Sequence, residues 1–302
     1  MFKHTDTPNS TKGMVKIFSP AKINLFLNVL RKRKDGYHGI ETLFERLDLG
    51  DTVVLKAAPA GVHLRSYGEK IPSGRTNLAV RAAALIKKTY RVRGGAHVFI
   101  QKRIPVSAGL GGGSSNAAAV LLGLNRLWQL HLTRRKLMEL GAKLGSDAPF
   151  FILDTPFSLG RGTGGVLEKI SAPGRKIWHV LVKPPFGIST KEAYEHFDRS
   201  GGMGLTLPKA DVRMLVRSIQ KGDSDCLAKL LSNSLEVTLN KRVTIILEIK
   251  KRLLKEGALG ALLSGSGSCV FGIFPTEQKA LRAARRLRQL RRAWKVFVAS
   301  TY

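Results

Sequence analysis

The sequence predicts an α+β protein of two domains. Its strand-like and helix-like stretches intermix without the regular βαβ rhythm of a parallel α/β sheet. Its 302 residues, 43% of them hydrophobic, are enough to build more than one core. A loop-forming stretch, residues 157–165, marks where the first domain ends. The predicted division is a disordered leader over 1–13, a first domain over 14–160 and a second over 161–302. The leader, Met1 to Gly13, is polar and lacks the apolar core of a secretory signal.

Residues 14–30 alternate as a strand should. Ala21, Ile23, Leu25, Leu27 and Val29 fall on one face, and Lys22, Asn24, Phe26 and Asn28 on the other. A lysine inside so apolar a strand either snorkels from a sheet edge or serves a purpose. Thr52–Ala57 reads as a second strand, and a helix starts at Thr76 with Leu78, Ala82, Leu85 and Ile86 on one face. A strand from His97 to Ile104 stops at Pro105. The run 105–119 follows: Pro-Val-Ser-Ala-Gly-Leu-Gly-Gly-Gly-Ser-Ser-Asn-Ala-Ala-Ala. Glycines let a ligand approach the backbone, and the first N–H groups of the helix they feed lack internal partners at the positive end of its dipole. Such a turn is a natural phosphate cradle, although a tight turn with a serine cap would use the same residues. It is not the P-loop pattern, since no Gly-Lys-Ser/Thr follows.

Ala117, Leu121, Leu124 and Trp128 continue that helix. Thr133 can cap the next one, with Leu137, Leu140 and Leu144, and Gly145 can end it. Ser146, Asp147 and Ala148 are predicted as a turn before Pro149, and Phe150–Leu153 as a strand. Asp147 is thereby pinned in a rigid place for a carboxylate, though a turn residue or salt bridge would fit there too. In the second half, strands are predicted at Ile177–Val182, Ala261–Leu263, Cys269–Phe274 and Lys295–Ala299. Helices are predicted at Thr190–Phe197, Ala210–Gln220, Asp225–Leu231 and Val243–Glu256, with a basic one from Lys279 to Arg292. A second small-residue loop occupies Ser264–Ser268.

The charge balance is extreme: 51 basic against 21 acidic residues, a formal +30. The basic helix carries Leu281, Leu287 and Leu290 among its arginines, so a solvated helix with leucines on the core is favoured over a nucleic-acid helix. No apolar run is long enough to span a bilayer, and no membrane partner is expected. Two cysteines, Cys226 and Cys269, make neither a disulfide framework nor a metal spacing, which fits a reducing cytoplasm. Gly160–Gly165 formally matches a dinucleotide fingerprint, but no βαβ unit surrounds it.

Four segments align in order: Pro20-Ala21-Lys22-Ile23-Asn24, the loop at 105–119, Gly145-Ser146-Asp147-Ala148-Pro149, and Leu263–Ser268. Together they resemble the GHMP kinase superfamily. Asp35-Gly36-Tyr37-His38 and Thr42-Leu43-Phe44 narrow the resemblance to the branch whose acceptor is a cytidine diphosphate-linked methylerythritol, in the non-mevalonate route to isoprenoids. The resemblance implies an N-terminal domain like ribosomal protein S5 domain 2, a ferredoxin-like C-terminal domain, and ATP with Mg²⁺ as cofactors. Asp147 would take the substrate hydroxyl's proton and Lys22 would steady the developing charge. Pro105, Gly109, Leu110, Gly111, Gly112, Gly113, Ser114 and Ser115 would wrap the ATP phosphates, with Asn77 and Lys102 near the adenosine. Asn24 would meet the methylerythritol hydroxyls. Tyr37 and His38 match residues that hold the cytosine, and an aromatic ring stacking on a pyrimidine is sound chemistry in its own right; Tyr194 is the candidate second ring. No protein ligand to the metal is indicated. A sister kinase of homoserine, mevalonate or a sugar is the alternative. A basic RNA-binding protein on an S5-like scaffold is a third reading, disfavoured because no aromatics interleave with the basic stretches.

Overall fold

The computed structural model describes residues 13–201, 211–236 and 242–302. The leader predicted over Met1–Gly13 lies outside the described residues except for Gly13, as does Ala210, the predicted start of one helix. Two long strands form the frame. β1 (Met14–Lys32) and β2 (His38–Ala58) pair antiparallel along nearly their whole length. β4 (Gly95–Lys102) pairs antiparallel with the second half of β2, and β3 (Val62–Gly68) lies parallel to β4. The first half of β2 pairs with β5 (Phe157–Arg161), which pairs in turn with β6 (Val166–Ile170), and a two-residue β8 (Ser232–Asn233) runs parallel to β1. A second, four-stranded antiparallel sheet has the order β11 (Lys295–Ser300), β7 (Trp178–Lys183), β10 (Val270–Phe274), β9 (Gly260–Leu263).

Helices α1 (Leu78–Thr89), α2 (Gly112–Leu127), α3 (Arg134–Ala142) and α4 (Ala148–Leu153) cover one face of the first sheet. Asn77 caps α1 by accepting from Ala79 N–H, and Thr133 caps α3 as its position predicts. In the second half come α5 (Thr190–Arg199), α6 (Val212–Lys221), α7 (Ser224–Lys229), α8 (Val243–Lys255) and α9 (Glu277–Leu290). Alternation puts Val53, Leu55, Val98 and Ile100 under α1–α4, while Leu181, Leu262 and Phe271 of the second sheet share a core with Ala21, Ile23 and Leu25 of β1.

Three expectations need correction. Phe150–Leu153 is the body of α4, not a strand. Pro149 is tolerated in the first helical turn, where its missing N–H costs nothing, and a short apolar run does not distinguish a buried helix from a strand. Of residues 157–165 only 162–165 form a turn; Phe157–Arg161 is strand β5 of the β5–β6 hairpin, held against β2 by long-range pairing. In β1, a register shift between Asn24 and Phe26 breaks the alternation. Phe26 joins the core of Ala21, Ile23 and Leu25, whereas Leu27 and Val29 pack among Val180, Ile188 and Phe197.

The end of the chain clasps the two sheets together. Leu47 bridges to Thr301, and Asp48 accepts from the Ser300 N–H (2.8 Å) and hydroxyl (2.7 Å). Beneath them Glu45 of β2, wholly buried, accepts from the Thr301 hydroxyl (2.6 Å) and meets His179 Nε2 of β7 at 3.0 Å. His179→Ala removes one of the two partners of a buried carboxylate, so unfolding free energy should drop by about 1–3 kcal/mol. The urea midpoint reads it; a midpoint within error of wild type would show that the clasp carries no stability.

Candidate active site

A cleft of about 1440 Å³ opens between the two sheets. Lys22, Asn24, Tyr37, His38, Asn77, Lys102, Pro105, Gly109–Gly113, Ser114, Asp147 and Tyr194 all line it. Ser115 does not. It lies one turn inside α2, buried, and its hydroxyl accepts from Ser19 at 2.8 Å.

The floor is the lysine of β1. Lys22 Nζ donates to Asn24 Oδ1 (2.6 Å), stands 3.4 Å from Asp147 Oδ2 and lies 5.6 Å from the centre of the Phe44 ring. Its side chain is 5% exposed against 27% for Asp147, so the carboxylate is the more accessible member of the pair. Two residues that alternation puts on one side of a strand thus share one hydrogen bond. Asn24 Nδ2 donates to the Thr42 hydroxyl (2.7 Å), which donates to the Phe26 carbonyl oxygen (2.7 Å). Asn24 is therefore fixed with its oxygen toward the lysine. Asp147 sits at the helix-cap position of α4 without capping it, leaving its carboxylate turned to the cleft.

One wall is the glycine turn. Gly111, at φ +68°, forms the entry to α2, and no side chain caps that helix. Its first N–H groups thus face a cleft with no built-in partner. A Cβ on Gly111 would sit 2.9 Å from Lys22 Cγ and 3.0 Å from Phe151 Cζ. The Lys22 N–H donates to the Leu110 carbonyl oxygen at 3.0 Å, which ties the turn to β1. Behind α2, Asp51 is buried and takes four donors: Lys102 Nζ (2.5 Å), Asn116 Nδ2 (2.8 Å) and the backbone N–H groups of Arg103 and Ile104. Burial lowers the Lys102 pKa, and the Asp51 charge opposes that shift.

The opposite end is aromatic. Tyr37 is 70% exposed at the rim. His38 is buried, with Nδ1 donating to the Leu30 carbonyl oxygen (3.0 Å) and Nε2 2.8 Å from Asp198 Oδ1. Its ring stacks on Tyr194 at 5.6 Å and meets Phe197 edge-on. Burial, with the nearby Asp147 charge, pushes the Tyr194 hydroxyl up to about 12, so that ring stays neutral in the site. The loop of Ser264–Ser268 closes the cleft from the second sheet. Ser264 Oγ donates to the Gly109 carbonyl oxygen (3.0 Å), and Asn233 Nδ2 donates to the carbonyl oxygens of Leu263 and Gly265.

Known proteins share this arrangement. The model of the GHMP kinases N terminal domain matches residues 77–155, and that of the GHMP kinases C terminal matches residues 215–292. A 4-diphosphocytidyl-2-C-methyl-D-erythritol kinase of Pelotomaculum thermopropionicum is 43% identical over 91% of this chain and 94% of its own. One of Geobacillus kaustophilus is 41% identical over 91% and 93%. The chain belongs to this kinase family. A crystal structure of a 4-(cytidine 5'-diphospho)-2C-methyl-D-erythritol kinase superposes with a TM-score of 0.79 at 34% identity, covering 95% of this chain and 98% of that one. A homoserine kinase of Cytophaga hutchinsonii, 19% identical at a TM-score of 0.75, shares the fold. The α+β architecture with N- and C-terminal GHMP kinase parts is as the sequence predicts.

Asp51, Asp198 and Asn233, which help shape this cleft, escape sequence reading: each acts on a partner far along the chain, and none sits in a distinctive local pattern. Thr42 and Asn116 lie in segments the sequence singles out, but their partners, Asn24 and Asp51, are not legible there. Cys269, buried beside the second loop, has its thiol pushed up to about 12 by burial, so it packs there as a small neutral side chain. Gly111→Ala should fold but place a methyl against Lys22 in a left-handed backbone; kcat for ADP release should fall about a hundredfold. A coupled ADP assay beside a circular dichroism spectrum measures both halves, and unchanged turnover would mean that the turn does not set the lysine's position.

Proposed function

We propose that this chain transfers the γ-phosphoryl group of ATP to the 2-hydroxyl of 4-diphosphocytidyl-2-C-methyl-D-erythritol, in the non-mevalonate route to isoprenoid precursors. The observation that carries the reading is the Lys22–Asp147 pair, 3.4 Å apart, with a phosphate cradle on one side and an aromatic pocket on the other. In phosphoryl transfer most of the catalysis is positioning and charge stabilisation. Asp147 Oδ2 accepts the hydroxyl proton as that oxygen attacks the γ-phosphorus; the bond to the β–γ bridging oxygen breaks and ADP leaves. Lys22, held by Asn24, steadies the charge that builds on the transferring oxygens.

The uncapped start of α2 and the turn from Gly109 to Ser114 hold the phosphates, with Pro105 stiffening the approach; Asn77 and Lys102 border the adenosine. Ser115 supports the cradle from inside the helix through Ser19. Mg²⁺ is expected to arrive with the nucleotide. Among the described residues no group of three His, Cys, Asp or Glu side chains could hold a metal. The Ser114 hydroxyl, which lines the cleft, is a hard oxygen donor that would suit such an ion. Bound there, it neutralises phosphate charge. Tyr37 stacks on the cytosine, the backbone edge at His38 reads its amide-like face because both ring nitrogens are taken by Leu30 and Asp198, and Tyr194 supplies the second ring. Asn24 meets the methylerythritol hydroxyls.

The two domains are assigned as 14–160 and 161–302, a boundary that falls inside the β5–β6 hairpin of the first sheet. A cytoplasmic placement rests on two free thiols; among the described residues no helix is long and apolar enough to cross a membrane.

Asp147→Asn should keep the fold and lower ADP formation with the cytidine substrate by about 10²–10⁴-fold; undiminished turnover would remove Asp147 as the base. Tyr37→Ala should raise KM for that substrate about tenfold or more with little change in KM for ATP. If instead homoserine or mevalonate supported turnover and Tyr37→Ala left KM alone, the acceptor would be a different alcohol.

A further inference from the structure

The first sheet has a second face, turned away from α1–α4 and from the cleft. Three rows of side chains cross it on neighbouring strands. Register sets His63 beside His97, then Lys56 and Met14; Arg65 beside Phe99, then Val54 and Lys16; Tyr67 beside Gln101, then Thr52 and Phe18. Every one of these residues is exposed or half-buried, and none is acidic. Tyr302 extends the last row, 5.0 Å from the Phe18 ring and beneath the Arg46 guanidinium at 5.3 Å. Within the rows, the His63 and His97 rings are 5.1 Å apart, His97 and Phe99 6.3 Å, and Lys56 Nζ lies 5.9 Å from the Phe99 ring centre.

We propose that this sheet face binds single-stranded RNA. Exposed aromatics spaced by strand geometry give unpaired bases flat surfaces to stack on, and the cations between them meet the phosphates. Gln101 and Thr52, in one row, offer the amide and hydroxyl that a ribose 2′-hydroxyl can bond. The net charge of +30 draws a polyanion toward the molecule, but charge alone would serve any polyanion. The interleaved rings select unstacked bases over a duplex, whose bases are hidden from such a surface. None of the row residues lines the cleft, so RNA and ATP occupy separate sites. The aromatics that the basic stretches lack in sequence are supplied by neighbouring strands.

Fluorescence anisotropy of the full chain with a short labelled oligo(U) tests this, against oligo(dT), duplex RNA of equal length and heparin as competitor. Phe99→Ala and Tyr67→Ala should each weaken oligo(U) binding about tenfold and leave ADP formation unaltered. Charge reversal at Arg282 and Arg285 of α9, which have no ion pair among the described residues, should change it by no more than about twofold. The proposal is overturned by undetectable oligo(U) binding, or by equal affinity for oligo(dT), duplex RNA or heparin. Binding that follows the α9 charges and ignores the two rings also overturns it. So does a dimer in sedimentation that Phe99→Ala dissolves, which would make a second copy of the chain the occupant.

Discussion

The site depends on one close approach of backbone to backbone. Gly109 of the first loop and Ser264 of the second touch so closely that a Cβ on Gly109 would collide with the Ser264 carbonyl oxygen. That approach is sealed by the Ser264 hydroxyl on the Gly109 carbonyl oxygen and by the Cys269 N–H on the Ala108 carbonyl oxygen. Gly265, in the same contact, leaves only enough room for the tips of Asn24 and Lys22. A cradle built on the first sheet is thus braced by a loop from the second. The two segments can meet because Gly109 has no side chain to hold the Ser264 backbone away.

From that brace the charges are placed. β1 brings Lys22 up beneath the turn, Leu110 holds its backbone, and Asn24, Thr42 and the Phe26 carbonyl form a chain of hydrogen bonds that leaves the ammonium little freedom. Rigid placement suits phosphoryl transfer, where a group already in position need not reorganise during reaction. Unbroken register from Lys22 to Asn24 keeps both residues on the cleft side, and the shift that follows, between Asn24 and Phe26, turns the Phe26 ring into the core.

The accessory residues follow a common rule: each buried polar group on the site's periphery carries a partner from another element. Asp51 gathers the end of β4 and the second turn of α2, and Asp198 of α5 pairs with both His38 and Lys32. The Lys32 hydrogen bond and the His38 and Lys32 charges hold the Asp198 carboxyl below the usual carboxylate range, opposed by partial desolvation. The pairing attaches the aromatic pocket to the second half of the chain. The aromatic rim of the cleft therefore comes from both halves, as does the brace around the glycine turn.

By itself the sequence determined the α+β class, the glycine turn that feeds a helix, the lysine and asparagine on one side of the first strand, and the pinned aspartate. Each of these is written within a few residues, where glycine freedom, strand alternation and helix capping act locally. It also determined that Tyr37 and His38 stand together. Only the tertiary structure decided that Phe150–Leu153 is helical and that 157–170 is a hairpin, because burial against α3 and pairing with β2 settle what a short apolar or glycine-rich run leaves open. It alone brought Asp51 to Lys102, Asp198 to His38 and the second loop onto the first. Long-range partners leave no periodic trace in the chain, so contact geometry had to supply them. The mixed aromatic and basic sheet face is the plainest case: its rings and cations are scattered over four strands and the last residue, and only register makes them neighbours.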